Sequence, residues 1–261
     1  KPTVILLHGW PVTSAMWEPL IAPLVEAGYR VLAPDQRGYS PGARPLGKEN
    51  YTTTLLSADI IAMADALNAE QFHLAGHDWG AVVGWQVMLS NPDRVLSWAA
   101  LSIAHPQSFS AAVEEDPDQA ARSRYFFLFA TPWLAETVFS MRDFGLLKGV
   151  YGPMPETARE EYLALFAEPG ALTAAFNWYR AMTLSSQESS DISPIVNTPT
   201  LFIWGNQDGA VGRWATEDQA QYMQGPFEVI ELDAGHWLME EKPDEVIKPM
   251  LNHLQKYSNG R

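Results

Sequence analysis

The stretch "FHLAGHDWGAVVGW" (residues 72–85) opens with a short apolar run and turns through Gly76, His77, Asp78, Trp79 and Gly80. It then leaves as an apolar helical pattern. A strand-to-helix turn flanked by glycines pushes its central side chain out above a sheet, the geometry of a nucleophile elbow, which usually reads G-x-S-x-G. Here the central residue is Asp78. An isolated Asp before a helix is ordinarily an N-cap, so the elbow reading rests on the symmetric glycines and on partners elsewhere in the chain. A carboxylate in this place also poses a chemical question: what can it attack that a hydroxyl cannot?

Outward from this turn, short apolar runs alternate with longer helical patterns. Val4–Leu7, Arg30–Ala33, Phe72–Ala75, Leu96–Ile103, Thr200–Trp204 and Phe227–Leu232 are rich in Val, Ile, Leu and Phe and read as strands. Continuous apolar strands suit a parallel sheet covered on both faces. Helical patterns fall at about Met16–Ala27, Thr54–Leu67, Ala81–Leu89 and Glu245–Lys256, with Ser14 placed to cap the first and Gly28 to stop it. This order predicts an α/β fold, a mostly parallel, doubly wound sheet.

The rhythm breaks between His105 and Asp191. Helical segments (Gln119–Phe129, Pro155–Ala167, Leu172–Met182) follow one another there without a convincing strand, amid many aromatic residues. The division expected is a core in two parts, 1–104 and 192–261, with a helical lid at 105–191 inserted between them.

The 261 residues are 47% apolar and 18% charged, material for one large domain and few disordered tails. Thirty-one acidic against 17 basic residues give a net charge of −14, which argues against nucleic acid and anionic membrane as partners. There is no cysteine, so disulfides and thiolate metal sites are excluded. No cluster has metal-ligand spacing, no glycine-rich phosphate loop is present, and no cofactor is expected. "VILLHG" is too short for a signal peptide or a spanning helix. The expectation is a soluble, cytoplasmic protein, monomeric or homodimeric.

Three further sites accompany Asp78. His236, in "ELDAGHWLMEEKP", follows an apolar strand and a glycine, and an order of nucleophile, acid and late histidine is that of hydrolases with an elbow. Asp208 ends "LFIWGNQD" and is the candidate acid; by itself it also reads as a turn residue. Asp218 and Asp233 are worse placed. In "LLHGWP" (6–11) the first strand runs into His8-Gly9-Trp10-Pro11, so that backbone N–H groups of Trp10 and Trp79 can share one oxygen as an oxyanion hole. His73, His77, His105 and His253 are read as structural.

Taken together, "HGWP", "DQRGYS", "GHDWGA", "GNQD" and "AGHW" resemble the α/β-hydrolase superfamily, in the branch with an aspartate nucleophile: epoxide hydrolases and haloalkane dehalogenases. The resemblance spans nearly the whole chain and implies Asp78 as nucleophile, His236 as base and Asp208 as its orienting acid. Members of the branch place a β-hairpin before the strand that ends in "HGWP"; here the sequence begins with that strand, at Lys1.

A carboxylate that displaces a leaving group from sp3 carbon forms an alkyl ester, and water activated by a histidine then attacks the ester carbonyl. Epoxide opening needs a proton or hydrogen bond on the departing oxygen. Tyr125 in "RYFFLFATPW" and Tyr179 in "FNWYRAM" resemble the two lid tyrosines of soluble epoxide hydrolases, which implies that they polarise a small hydrophobic epoxide. The alternative is a haloalkane dehalogenase. That chemistry needs N–H donors for halide, with Trp79 as one and a lid tryptophan, Trp133 or Trp178, as the other, because Trp10 stands where dehalogenases carry Asn. A fluoroacetate dehalogenase would carry arginines just after the nucleophile, where this chain has "WGAVVGW". Esterase chemistry through Asp78 would yield an anhydride. A non-catalytic small-molecule binder would show a broken triad.

Overall fold

The computed structural model describes residues 1–152, 154–188 and 191–258. Six strands form one wholly parallel sheet: β1 Thr3–Leu7, β2 Arg30–Leu32, β3 Phe72–His77, β4 Val95–Leu101, β5 Thr200–Gly205 and β6 Phe227–Leu232, in the order β2-β1-β3-β4-β5-β6. β1 and β3 are buried along their whole length, whereas β2 and β6, at the two edges, are largely half-buried or exposed. Apolar runs therefore mark the central strands and weaken at the margins.

The chain leaves β1 for β2, returns to β3, and then moves steadily to β6. Right-handed crossovers put helix α1 (Glu18–Glu26) on one face, and α2 (Thr53–Ala66) and α3 (Trp79–Ser90) on the other. The last helix packs beside α1 and over β4 and β5. The reversal between β1 and β3 is the topological switch point, and the crevice at its carboxyl edge is where open α/β sheets bind ligands.

Between β4 and β5, the described residues hold helices and no strand. These are α4 (Pro106–Glu115), α5 (Pro117–Arg122), α6 (Tyr125–Ala130), α7 (Leu134–Val150), α8 (Glu156–Phe166), α9 (Ala171–Arg180) and α10 (Met182–Glu188). α7 is two helical pieces broken at Met141–Phe144, where three consecutive residues take positive φ. After β5 come α11 (Arg213–Asp218), α12 (Leu238–Glu241) and α13 (Pro243–Tyr257).

Three local expectations need correction. Thr13, rather than Ser14, caps the first helical turn: its hydroxyl accepts from Ala15 N, while Ser14 N donates to Asp35 Oδ1 at 2.9 Å. The pattern Gln119–Phe129 is two helices, because the chain turns at Ser123 between α5 and α6. β4 stops at Leu101, short of the expected Ile103, because Ser102 takes φ +72°, which no strand accommodates.

Candidate active site

Five loops at the carboxyl ends of β1, β3, β4, β5 and β6 deliver the functional groups. Asp78 sits between β3 and α3 with φ +51° and ψ −125°. That strain for a non-glycine residue is what an elbow stores to project its side chain. Although Asp78 occupies the N-cap position of α3, its carboxylate caps nothing in that helix. Instead Oδ1 accepts a 2.7 Å hydrogen bond from Trp10 N. The close approach demands glycines: a Cβ on Gly80 would collide with the Leu7 and His8 backbone, and one on Gly9 with the Asp78 side chain.

The other carboxylate oxygen, Oδ2, lies 3.5 Å from His236 Nε2. His236 Nδ1 is 2.9 Å from Asp208 Oδ2. Asp208 is fixed in turn, with Oδ1 accepting from Ala210 N at 2.7 Å and from Val211 N at 3.2 Å. Burial alone would raise its pKa, but the His236 charge, with hydrogen bonds from His236, Ser102 and Ala210 N, holds the carboxyl below the usual range. For His236 burial opposes the imidazolium, yet Asp208 and Asp78 lift its pKa well above that of a free histidine. The structure thus brings together Asp78, His236 and Asp208, with Trp10 N on the first of them.

Trp79 opens α3, so its N–H is one of the four in a helix without an intrahelical partner. Its ring stands edge-on to Trp178 at 5.5 Å and to Tyr179 at 4.9 Å. Tyr125 and Tyr179 come from α6 and α9, with ring centroids 6.2 Å apart. Burial, reinforced by nearby Asp78, pushes both phenols well above 10, so they remain protonated donors. Both line one cavity of about 540 Å³ whose floor includes Asp78 and Trp79 and whose walls are largely apolar: Val82, Trp85, Ile103, Phe126 and Met182 among them. A second hollow, at the β2 edge near Lys1 and Arg30, contains none of these groups.

Trp133 and Trp178, the tryptophans expected to serve as halide donors, do not line that cavity. The Trp178 indole N–H donates to Arg37 O at 3.0 Å, and Trp133 is 84% exposed. α9, which carries Tyr179, is pinned by Arg180, whose guanidinium pairs with both carboxylate oxygens of Glu136 at 2.9 Å.

Two groups at the site escaped the sequence reading. Ser102 Oγ donates to Asp208 Oδ2 at 2.6 Å and lies 3.1 Å from His236 Nδ1. No sequence signal marks Ser102, since the strand pattern runs on through Ile103; the sheet order sets it between the loops that carry Asp78 and Asp208. His77, read as structural, contacts the centre: its Nε2 is 2.8 Å from the His236 carbonyl oxygen and the two rings are 4.8 Å apart. Burial, then the His236 charge, pushes its pKa down to about 4, so it is neutral and not a second acid.

Among the described residues, no group of three His, Cys, Asp or Glu side chains could hold a metal ion, and no helix is long and apolar enough to cross a membrane.

Comparison with known proteins agrees with this architecture. Residues 2–243 match the family model described as the alpha/beta hydrolase fold. The chain is 34% identical to epoxide hydrolase A of Mycobacterium tuberculosis over 97% of this chain and 90% of that protein. It is 32% identical to the AB hydrolase superfamily protein YfhM of Bacillus subtilis, with the same coverages. Among solved structures, a mutant of an epoxide hydrolase from Bacillus megaterium, complexed with its product, a naphthyloxy-propane-1,2-diol, superposes with a TM-score of 0.88 at 25% identity. The match covers 98% of this chain and 94% of that one. A strained aspartate elbow on a parallel sheet and these similarities lead to one assignment: the chain belongs to the α/β-hydrolase fold family, among its epoxide-hydrolase-like members.

Proposed function

We propose that this protein hydrolyses epoxides to vicinal diols through a covalent ester on Asp78. The observation that carries the proposal is the shared cavity: a carboxylate on its floor and two protonated phenols in its wall, with a histidine–carboxylate pair behind the carboxylate. The names of the similar proteins support the same substrate class.

In the first step Asp78 Oδ2 attacks a ring carbon. The ring C–O bond breaks, and its electron pair goes to the oxygen, which takes a proton from Tyr125 or Tyr179. Positioned acids of this kind contribute roughly 10²–10⁴-fold. Ester formation removes the charge of Asp78, one of the two carboxylates that stabilise the His236 imidazolium. The histidine pKa therefore falls just when a neutral base is needed, and the imidazolium proton passes to the phenolate, restoring the phenol. His236 then takes a proton from water, the oxygen of that water attacks the ester carbonyl, and the developing oxyanion on Oδ1 rests on Trp10 N–H, joined by Trp79 N–H. One such donor is worth roughly 10²–10³ in rate. Collapse breaks the bond between the acyl carbon and Oδ2, which takes the proton of the new Asp78 carboxyl and leaves as the second hydroxyl of the diol, while His236 keeps the proton it took from water and is again the imidazolium favoured beside two carboxylates.

Halide displacement by the same aspartate is less well supported. Trp178 spends its indole N–H on Arg37 O and Trp133 faces solvent, which leaves Trp79 without a partner donor from the lid tryptophans.

The test is a product assay with aryl epoxides and, separately, bromoalkanes. Diol without halide is expected; halide without diol overturns the proposal. His236→Ala should leave the Asp78 peptide heavier by the mass of the epoxide, and an unmodified peptide counts against the covalent route.

A further inference from the structure

We infer that the cavity selects uncharged epoxides, tolerating a neutral polar group at the end remote from the epoxide and rejecting a carboxylate there. The inference rests on the epoxide hydrolase reading and extends it to substrate charge. Two helices from opposite ends of the helical insertion frame one side of the cavity, α4 through Gln107 and Ser110, and α10 through Ser185 and Ser186. Gln107, Ser110 and Ser186 are exposed, so this is the side on which the cavity meets solvent. The Ser185 hydroxyl accepts from Thr53 N and donates to Ala181 O, but the Gln107 amide and the Ser110 and Ser186 hydroxyls are groups that hydrogen-bond to neutral polar ends, and none supplies the fixed positive charge that an anionic end would need.

Asp78 is the sole formally charged side chain among the described residues lining the cavity. The two framing helices carry Glu114, Glu115 and Glu188 and no lysine or arginine. Two arginines near the site are already engaged: Arg122 with Asp118 and the Asp208 carbonyl, and Arg180 with Glu136. A carboxylated epoxide would meet acidic helices on entry and then stand in a low-dielectric pocket with the charge of the nucleophile itself. Like charges at such separations cost about tenfold or more in encounter and binding together.

The experiment compares phenyl glycidyl ether with its 4-carbamoyl and 4-carboxy derivatives; the last two are nearly isosteric and differ in charge. At low ionic strength, kcat/KM for the carboxamide should fall within about threefold of the parent. The carboxylate should be at least about tenfold slower than the carboxamide, and added salt should narrow that gap by screening. Gln107→Arg should narrow it at low salt. Carboxylate and carboxamide turned over within about twofold of each other at low salt, or a gap indifferent to both salt and Gln107→Arg, would overturn the inference while leaving epoxide hydrolysis intact. No diol from any of the three would overturn the underlying reading.

Discussion

Ser102 Oγ and Asp208 Oδ2 lie 2.6 Å apart, and Ser102 holds this position from a backbone at φ +72°. The serine donates to the same carboxylate oxygen that receives His236 Nδ1, so it fixes the plane of Asp208 and through it the imidazole. Two substitutions separate the hydroxyl from the backbone. Ser102→Ala keeps the strained φ and loses the donor; Ser102→Gly loses the donor and relieves the strain. Both should slow ester hydrolysis about tenfold, in line with a lost hydrogen bond to a charged group. By thermal or urea unfolding, the glycine variant should be more stable than the alanine variant by about 1 kcal/mol. Equal stability would mean that the left-handed conformation costs nothing here.

Tyr125→Phe and Tyr179→Phe each retain a ring in the aromatic cluster and remove one donor. Each should lower the rate of epoxide opening by roughly 10–10² and the pair should abolish it, against roughly 10²–10⁴ for a full acid contribution. Pre-steady-state appearance of the alkyl-enzyme reads this step directly. A double variant with unchanged alkylation rate would remove the tyrosines from the mechanism.

The two half-reactions should differ in pH dependence. Alkylation needs Asp78 ionised and proceeds with His236 protonated, as Asp208 and Asp78 favour. Ester hydrolysis needs His236 neutral, so its rate should fall on the acid side, and the alkyl-enzyme should accumulate as pH drops. Asp208→Asn withdraws the larger support of the imidazolium, so the residual acid limb should move to lower pH. The hydrolysis rate should fall by roughly 10²–10⁴ with the loss of orientation. Tryptophan fluorescence in single turnovers, with Trp79 against the ester, would follow both steps. Acid limbs that coincide for the two half-reactions would contradict this assignment.

Stability should decline in mild acid. Burial pushes His73, His77, His105 and His253 down to about 4 from an ordinary value near 6.5. A base with a depressed folded pKa binds fewer protons folded than unfolded, so its contribution is present above about 6.5 and lost as pH falls toward 4. Glu240, pushed up to about 7 by burial, works in the opposite direction over part of that window, but it is one group against these four and His8, which burial also lowers. His236, raised, contributes below 6.5 and loses that contribution on the alkaline side. Tm should therefore peak near neutrality and fall between pH 6.5 and 4, and His253→Gln should flatten that fall. A Tm constant across the window would show that these histidines do not carry the linkage.

The central sheet was legible because strands buried on both faces must be largely apolar, and β1, β3 and β5, buried along their whole length, are. The placement of Asp78 and Asp208 was legible because each follows such a strand in a glycine-marked turn, and that of His236 because it follows a glycine after the edge strand β6. Ser102 was not, because nothing in its spacing distinguishes it; its role comes from a backbone angle and from β4 lying between β3 and β5. The helical insertion was legible as helix but not in its breaks. The turn at Ser123 lies inside a stretch whose local periodicity reads as continuous helix, and the distortion at Met141–Phe144 lies inside α7.

The hydrogen bond from Trp10 N singles out one oxygen of Asp78, and the two oxygens then have different fates. In the proposed route Oδ1, held by Trp10 N, would stay in place as the carbonyl of the ester, while Oδ2, on the His236 side, would become the bridging atom and depart with the alcohol. Each molecule of diol would thus carry away an atom that belonged to the protein, and solvent would refill the vacancy. In water enriched in oxygen-18, a first turnover would mark Asp78 and leave the diol unlabelled; only from the second would the label reach product. On this reading the protein is a consumable reagent with respect to one atom, rebuilt once per cycle.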